Sequence, residues 1–287
     1  MTNNPGGFRR KFHEMPLVLF TTLAMTAGGI GIGRLALAAL GAGGWGATAG
    51  EAAAVGGLLA LGIAFSTFHL GRPSRAGLAL RRAGRSPLSN EVVVTGLTVV
   101  TGVVVVVFPE GQAVARFTSI LLPLLAALVL LTLGLVYRLP GQLAWPNLAV
   151  ASPVVLGTVF GLVLHWGWGT WEGGGTVLVV LLAFWMLDLV VTVARGIGLE
   201  KAGKLGEPSY ADFFSHRRAS LGARILFVNI LPPLALLMGW VPLAVPLLGV
   251  GILLDRLAFY GLSVERTTES EVERVEAVIA GMGGMAE

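Results

Sequence analysis

Apolar stretches of about 20 residues, each long enough to cross a hydrocarbon core about 30 Å thick as an α-helix, recur along this chain. Eight can be placed, at about 14–40, 50–69, 89–108, 116–138, 148–168, 175–198, 219–239 and 241–262. Lipid offers backbone polar groups no partner, so such segments must satisfy them internally as helices. Only 13% of the 287 residues are charged and 55% are hydrophobic, against about 25% charged in an ordinary soluble domain. The expected fold is therefore an all-α integral membrane protein, an eight-transmembrane-helix bundle over residues 1–262 with an acidic tail at 263–287. The alternating pattern of a membrane barrel is absent.

Gly28-Gly29-Ile30-Gly31-Ile32-Gly33 has the look of a nucleotide loop, but it lies inside the first apolar run with no strand before it. Small residues spaced along a membrane helix let neighbouring backbones approach, and that is the role expected here. Pro232 and Pro233 each remove a donor from the helix ladder and should kink the seventh run. Arg9-Arg10-Lys11-Phe12 before the first run resembles an export signal, yet the run is too long for a cleaved leader, so an uncleaved first helix is expected.

With eight spans both termini lie on one side, and the basic residues divide sharply between the two faces. The terminal side carries Arg9, Arg10, Lys11, Arg138, Arg195, Lys201, Lys204, Arg217, Arg218 and the five arginines of the 70–88 loop, whereas the other side carries Arg34 and Arg116. Positive charge stays inside. The expected location is the bacterial cytoplasmic (inner) membrane, multi-pass, with both termini and the loop from His69 to Glu91 cytoplasmic.

Chemistry-bearing residues are few. Cysteine is absent, which excludes cysteine-ligated clusters and zinc-thiolate sites within this chain. His69 ends the second run and Glu91 opens the third, so an imidazole and a carboxylate meet at one interface. An imidazole with an ordinary pKa of about 6.5 accepts or donates a proton near neutrality, and the two groups form a candidate proton-handling pair. The alternative is that His69 caps a helix while Glu91 pairs with Arg72, Arg75 or Arg82. Arg72 and Arg75 bracket Pro73, and could clamp a polar ligand, dock an acidic partner or contact anionic lipid. Asp188 lies near the middle of the sixth run, where a charge is costly unless paired, protonated or wetted, and is either a proton relay or a helix-helix hydrogen bond. Asp255-Arg256 with Tyr260 either lines a cavity shared with Glu91 or forms a local ion pair. His165, among Trp166, Trp168 and Trp171, reads as an interfacial residue at the face opposite His69. His13 and His216 lie outside the runs. A bis-histidine haem needs two imidazoles at one depth, and none is expected.

His13-Glu14-Met15-Pro16-Leu17, the block His69-Leu70-Gly71-x-Pro73-x-Arg75-Ala76 followed by Ser89-Asn90-Glu91, and Arg256-x-x-Phe259-Tyr260-Gly261 resemble the dimethyl sulfoxide reductase membrane anchor subunit family. The resemblance covers nearly the whole chain, although Leu262-Ser263 stands where that family often has a histidine. It implies an anchor that binds a quinone, menaquinone or ubiquinone, without haem. It also implies an iron-sulfur electron-transfer subunit as partner and, through it, a molybdopterin catalytic subunit; molybdopterin and the iron-sulfur clusters reside only in those partners. His69 and Glu91 fall on the family's quinol-site histidine and glutamate, with Arg72, Arg75 and Asn90 beside them. Arg256, Tyr260 and Asp188 are further candidates. The subunit would have no turnover of its own and would serve a dimethyl sulfoxide reductase or a related sulfite or formate dehydrogenase. Membrane lipid is an expected contact and nucleic acid is not.

Two other readings stand beside this one: a proton- or ion-coupled secondary transporter built on Asp188 and Glu91, and a structural anchor without a quinone site. Transporters commonly show repeated halves and paired broken helices, and no repeat is evident. The charge asymmetry predicts that a reporter active only in the cytoplasm is active when fused to the C-terminus; activity only of an externally active reporter would reverse the orientation.

Overall fold

The computed structural model of the chain describes residues 15–69, 77–108, 112–136, 148–168, 174–204 and 218–261. Their helices are α1 (Met15–Ala39), α2 (Ala49–His69), α3 (Gly77–Leu80), α4 (Pro87–Val107), α5 (Ala113–Val136), α6 (Leu148–Gly167) and α7 (Gly174–Lys204). After α8 (Arg218–Ile225) come a π-helical turn (Leu226–Ile230), α9 (Leu231–Leu237) and α10 (Val241–Gly261). There is no strand among the described residues. Six helical stretches are long and apolar enough to cross a membrane: Met15–Ala39, Ala49–Thr67, Pro87–Val107, Ala113–Val136, Gly175–Ile197 and Val241–Tyr260. The runs expected as the fifth and seventh spans contain shorter apolar helices, Ala151–Gly167 and Gly222–Leu237. The acidic tail lies outside the described residues.

α1 is the centre of the bundle. It packs against α2, α5, α6 and α10, while α4 packs against α2 and α5, and α7 against α6. Its glycines explain how one helix accommodates so many neighbours. A Cβ on Gly29 would stand 2.5 Å from the Gly157 carbonyl oxygen, and one on Gly33 would stand 2.7 Å from the Gly161 carbonyl carbon. Reciprocally, a Cβ on Gly161 would run into the carbonyl of Gly29. Two small-xxx-small pairs, Gly29 with Gly33 and Gly157 with Gly161, thus let α1 and α6 touch backbone to backbone. On another face of α1, a Cβ on Gly28 would stand 2.5 Å from Leu130 Cγ of α5. The glycine run is a packing surface.

The seventh run shows what two consecutive prolines do to a helix. Pro232 has no N–H to give the Val228 carbonyl, and its ring clashes one turn back. The chain responds by widening: the Leu231 N–H bonds the Leu226 carbonyl, a π-type step. The orphaned Val228 carbonyl instead accepts from the indole N–H of Trp185 on α7 at 2.7 Å. The kink is therefore fastened to a neighbouring helix.

Outward-facing side chains are apolar. Val100, Val103 and Val107 on α4, Phe117 on α5, and Val179, Met186 and Val190 on α7 are exposed, as expected for a surface solvated by acyl chains. α7 has 31 residues, about 46 Å of helix, which is longer than a hydrocarbon core about 30 Å thick.

The α1–α6 contact generates a stability prediction. Gly161→Ala should force the two helices apart and destabilise the protein by about 1–3 kcal/mol, whereas Gly57→Ala, with open space around it, should be neutral or stabilising. Thermal unfolding in detergent checks both; equal effects would show that the close approach is not limiting.

Candidate functional site

The chain turns from α2 into α4 through the short α3 and an exposed arginine-rich turn, Arg81 to Arg85. Gly84 closes the turn with a φ of +79°, a conformation glycine tolerates best. Pro87 then occupies the first turn of α4, where its missing N–H costs nothing. The expected start near Ser89 is thus two residues late. Asn90 fastens the turn to the helix, its side-chain oxygen accepting from the Gly84 N–H at 2.6 Å. Gly84, Arg85, Pro87 and Asn90 face Thr132 and Leu135 of α5 across a cleft of about 290 Å³.

Glu91 is the next residue, only 4% exposed. Its Oε1 has no hydrogen-bond partner among the described residues, and neither has Oγ1 of Thr95 one turn further on. Arg82, a candidate counter-ion, is exposed in the turn. A Cβ on Gly102 would stand 3.1 Å from the Ala52 carbonyl oxygen. The far part of α4 thus meets the start of α2, and the two helices run antiparallel. His69, the last residue of α2, is therefore at the same end of the bundle as Glu91. The His69 side chain lies outside the described residues, as do Arg72 and Arg75.

At the opposite end three helices meet through a buried ion cluster. Thr48 and Glu51 form a reciprocal capping box at the start of α2: the Thr48 N–H donates to Glu51 Oε2 at 2.7 Å, and the Glu51 N–H to Thr48 Oγ1 at 3.2 Å. The other carboxylate oxygen of Glu51 accepts from Nε of Arg34 at 3.1 Å and also pairs with its Nη2. His165 Nδ1 is 3.2 Å from that same oxygen, and Nε2 is 3.1 Å from the Ile30 carbonyl. His165, expected at the face opposite His69, is at this end of the bundle and fully buried between the helices, with Trp168 edge-on at 5.7 Å. The tight α1–α6 contact draws it inward.

A second network joins α6, α7, α8, the π-helical turn and α10. Asp188 is completely buried; its Oδ1 accepts from Arg224 Nη2 at 2.7 Å and its Oδ2 from Asn229 Nδ2 at 3.2 Å. Arg224 also donates to Asn229 Oδ1 at 3.1 Å and to Asp255 Oδ1 at 3.4 Å. Asp255 Oδ1 takes Arg195 at 2.9 Å, and Oδ2 takes Nε of Arg256 at 3.1 Å. Phe259 carries the Arg256 guanidinium 4.8 Å above its ring and Tyr260 edge-on at 5.5 Å. Asp188 is thus paired, and Asp255-Arg256 belongs to a wider network than a local ion pair. That network lies on the α6 and α10 flank of α1, whereas Glu91 lies on the α2 and α5 flank. The structure does not bring Arg256, Tyr260 and Asp188 together with Glu91.

Arg195, Arg224, Asn229, Arg34 and Glu51 were not candidate site residues by sequence. The Thr48-x-x-Glu51 spacing signals a helix start, but nothing local signals that Glu51 also holds Arg34 and His165. Comparison with known proteins shows that the family model described as DMSO reductase anchor subunit (DmsC) matches residues 9–194. No curated protein and no solved structure matches the chain. The matched stretch includes Glu51, Glu91, His165 and Asp188, while Arg195, Arg224, Asn229, Asp255 and Arg256 lie beyond it.

Removing one member of a buried ion network leaves its partners uncompensated, at a cost of about 3–5 kcal/mol. Asp255→Asn, which strips three guanidiniums of a carboxylate, should therefore lower stability by that order. Arg116→Gln on the exposed start of α5 should change it by less than about 0.5 kcal/mol. Denaturant titration of the purified protein measures both; a tolerant Asp255→Asn would mean that the network is hydrated and weak.

Proposed function

The chain belongs to the DMSO reductase anchor subunit family, and from that premise we propose that it oxidises a membrane quinol for a molybdenum enzyme. Membership makes it a membrane anchor subunit of a DMSO reductase-type complex. The finer reading is that a menaquinol or ubiquinol binds beside Glu91 and His69, and that its electrons pass to an iron-sulfur subunit and on to a molybdopterin subunit. In this reading all eight apolar runs span a bacterial inner membrane with both termini cytoplasmic, and the partners dock on the basic face carrying Arg72 and Arg75.

The observation that carries this reading is Glu91: a buried carboxylate at a helix start, with one oxygen unpartnered among the described residues. A charge in such surroundings is expensive unless the site has work for it. Converting a quinol to a quinone breaks two O–H bonds and releases two protons and two electrons. Glu91 accepts one proton and the imidazole of His69 the other, each a general base held at the ligand. The electrons leave for a cluster in the partner subunit, since the chain has no cysteine to hold one. Asn90 acts indirectly, by fastening the arginine turn to α4.

Asp188 favours the anchor over a transporter. Both of its carboxylate oxygens are engaged, by Arg224 and Asn229. Arg256 and Tyr260 are assigned to the same structural network and not to the quinol.

Glu91→Gln and His69→Ala should each lower quinol-linked turnover of the assembled complex by about 100-fold or more. Reduction of the same acceptor by an artificial dye, which bypasses the anchor, should continue at its normal rate. Full quinol turnover in both variants would remove the quinol site from this end of the bundle.

A further inference from the structure

Threonine in a membrane helix ordinarily turns its hydroxyl back onto a carbonyl of the preceding turn. Buried Thr21, Thr98, Thr132, Thr158 and Thr192 all do so, at 2.7–3.2 Å. Thr95 and Thr101 make no such bond; Thr101 is 7% exposed, whereas Thr95 is 2% exposed, and its fully buried Oγ1 bonds neither the Glu91 nor the Val92 carbonyl nor any other described group. A buried hydroxyl without a partner costs about 1–3 kcal/mol, and a valine of nearly the same shape would avoid that cost. Glu91, four residues earlier on the same face of α4, presents the other buried side-chain oxygen without a partner among the described residues. Residues at this spacing have Cβ atoms about 5–6 Å apart, so the two side chains are neighbours that can reach one shared ligand atom.

Resting on the quinol reading above, we propose that Thr95 is a further binding residue of that site, and that Thr95 and Glu91 together hold one hydroxyl-bearing oxygen. The chemistry of the pair defines this ligand atom. An ionised carboxylate only accepts, so the atom must carry a proton to donate to Glu91. A threonine hydroxyl donates as well as accepts, so the same oxygen can receive a hydrogen bond from Thr95. A quinol hydroxyl meets both demands, and so does a water that carries the proton from the quinol to Glu91. On deprotonation the oxygen keeps the Thr95 hydrogen bond while its proton moves to Glu91, so the developing negative charge is met by a donor. The site then reaches one turn deeper into the membrane than the His69 and Glu91 pair alone.

The experiment uses membranes carrying the assembled complex, with menadiol and decylubiquinol as donors and rates normalised to dye-linked activity. Thr95→Val should lower kcat/KM for quinol by about tenfold, the loss of one hydrogen bond, while raising or preserving thermal stability; Thr95→Ser should restore the rate. A rise in KM with kcat kept identifies the held oxygen as the quinol's. A fall in kcat at constant KM, with a shifted Glu91 carboxyl band in infrared difference spectra, identifies it as a water. If Thr95→Val keeps full turnover while Glu91→Gln loses it, the Thr95 role is refuted and the quinol site stands. If Glu91→Gln and His69→Ala also keep full turnover, the quinol reading itself falls. A loss in Thr95→Val that Thr95→Ser does not rescue assigns the effect to packing and overturns the proposal.

Discussion

The backbone contact between α1 and α6 is the constraint on which the remaining geometry depends. Inside a bilayer, helices gain nothing by hiding apolar side chains from one another, because the acyl chains are equally apolar; close packing and interhelical hydrogen bonds do the work. Gly29, Gly33, Gly157 and Gly161 remove the side chains that would otherwise hold the two axes apart. The shortened distance brings the His165 ring beside Gly33 and within reach of both the Ile30 carbonyl and Glu51. Arg34, one residue beyond Gly33, joins them. One glycine-lined seam thus positions α1, α2 and α6 and determines which charges can meet.

α1 also divides the polar interior. On one flank, between α2 and α5, α4 offers Glu91 and Thr95 with open hydrogen-bonding capacity. On the other, α6, α7, α8 and α10 bury a network in which every carboxylate oxygen is engaged. The contrast separates holding from handling. A low dielectric makes an unpaired polar group costly and a satisfied network rigid, so the saturated flank holds the fold, and the unsaturated one is where the proposed quinol would bind.

The apolar runs were legible because a membrane helix must be long, apolar and internally bonded; the helices near 14–40, 50–69 and 241–262 fall where length and hydropathy put them. The packing role of Gly28 to Gly33 and the disruption at Pro232-Pro233 were equally readable, since each acts through its own backbone. What the sequence left hidden acts across distance. The acceptor that Pro232 orphaned is met by Trp185, 43 residues from Val228. Asp188 finds its guanidinium 36 residues away, in a segment of low hydropathy. Glu51 looks from its spacing like an ordinary capping residue, and nothing near His165 in the sequence signals that the two are paired. For Glu91 the position was readable, and its missing partner only in three dimensions. Thr95 carried no signal at all, because hydropathy does not distinguish a threonine that bonds its own helix from one that does not.

The Arg–Asp network also has a consequence for how the chain is made. Three guanidiniums, from Arg195, Arg224 and Arg256, are compensated by two carboxylates, from Asp188 and Asp255. These groups leave the ribosome in the order Asp188, Arg195, Arg224, Asp255, Arg256. An aspartate at the centre of an inserting helix resists transfer into lipid by about 2.5–3.5 kcal/mol, and the cost at Asp188 is relieved when α8 brings Arg224 and the π-helical turn brings Asn229. Arg195 and Arg224 in turn wait for Asp255, which arrives with the last helix. The net charge of the network is the same before and after α10 arrives, so what the last described helix adds is a partner for Arg195 and a second carboxylate for Arg224.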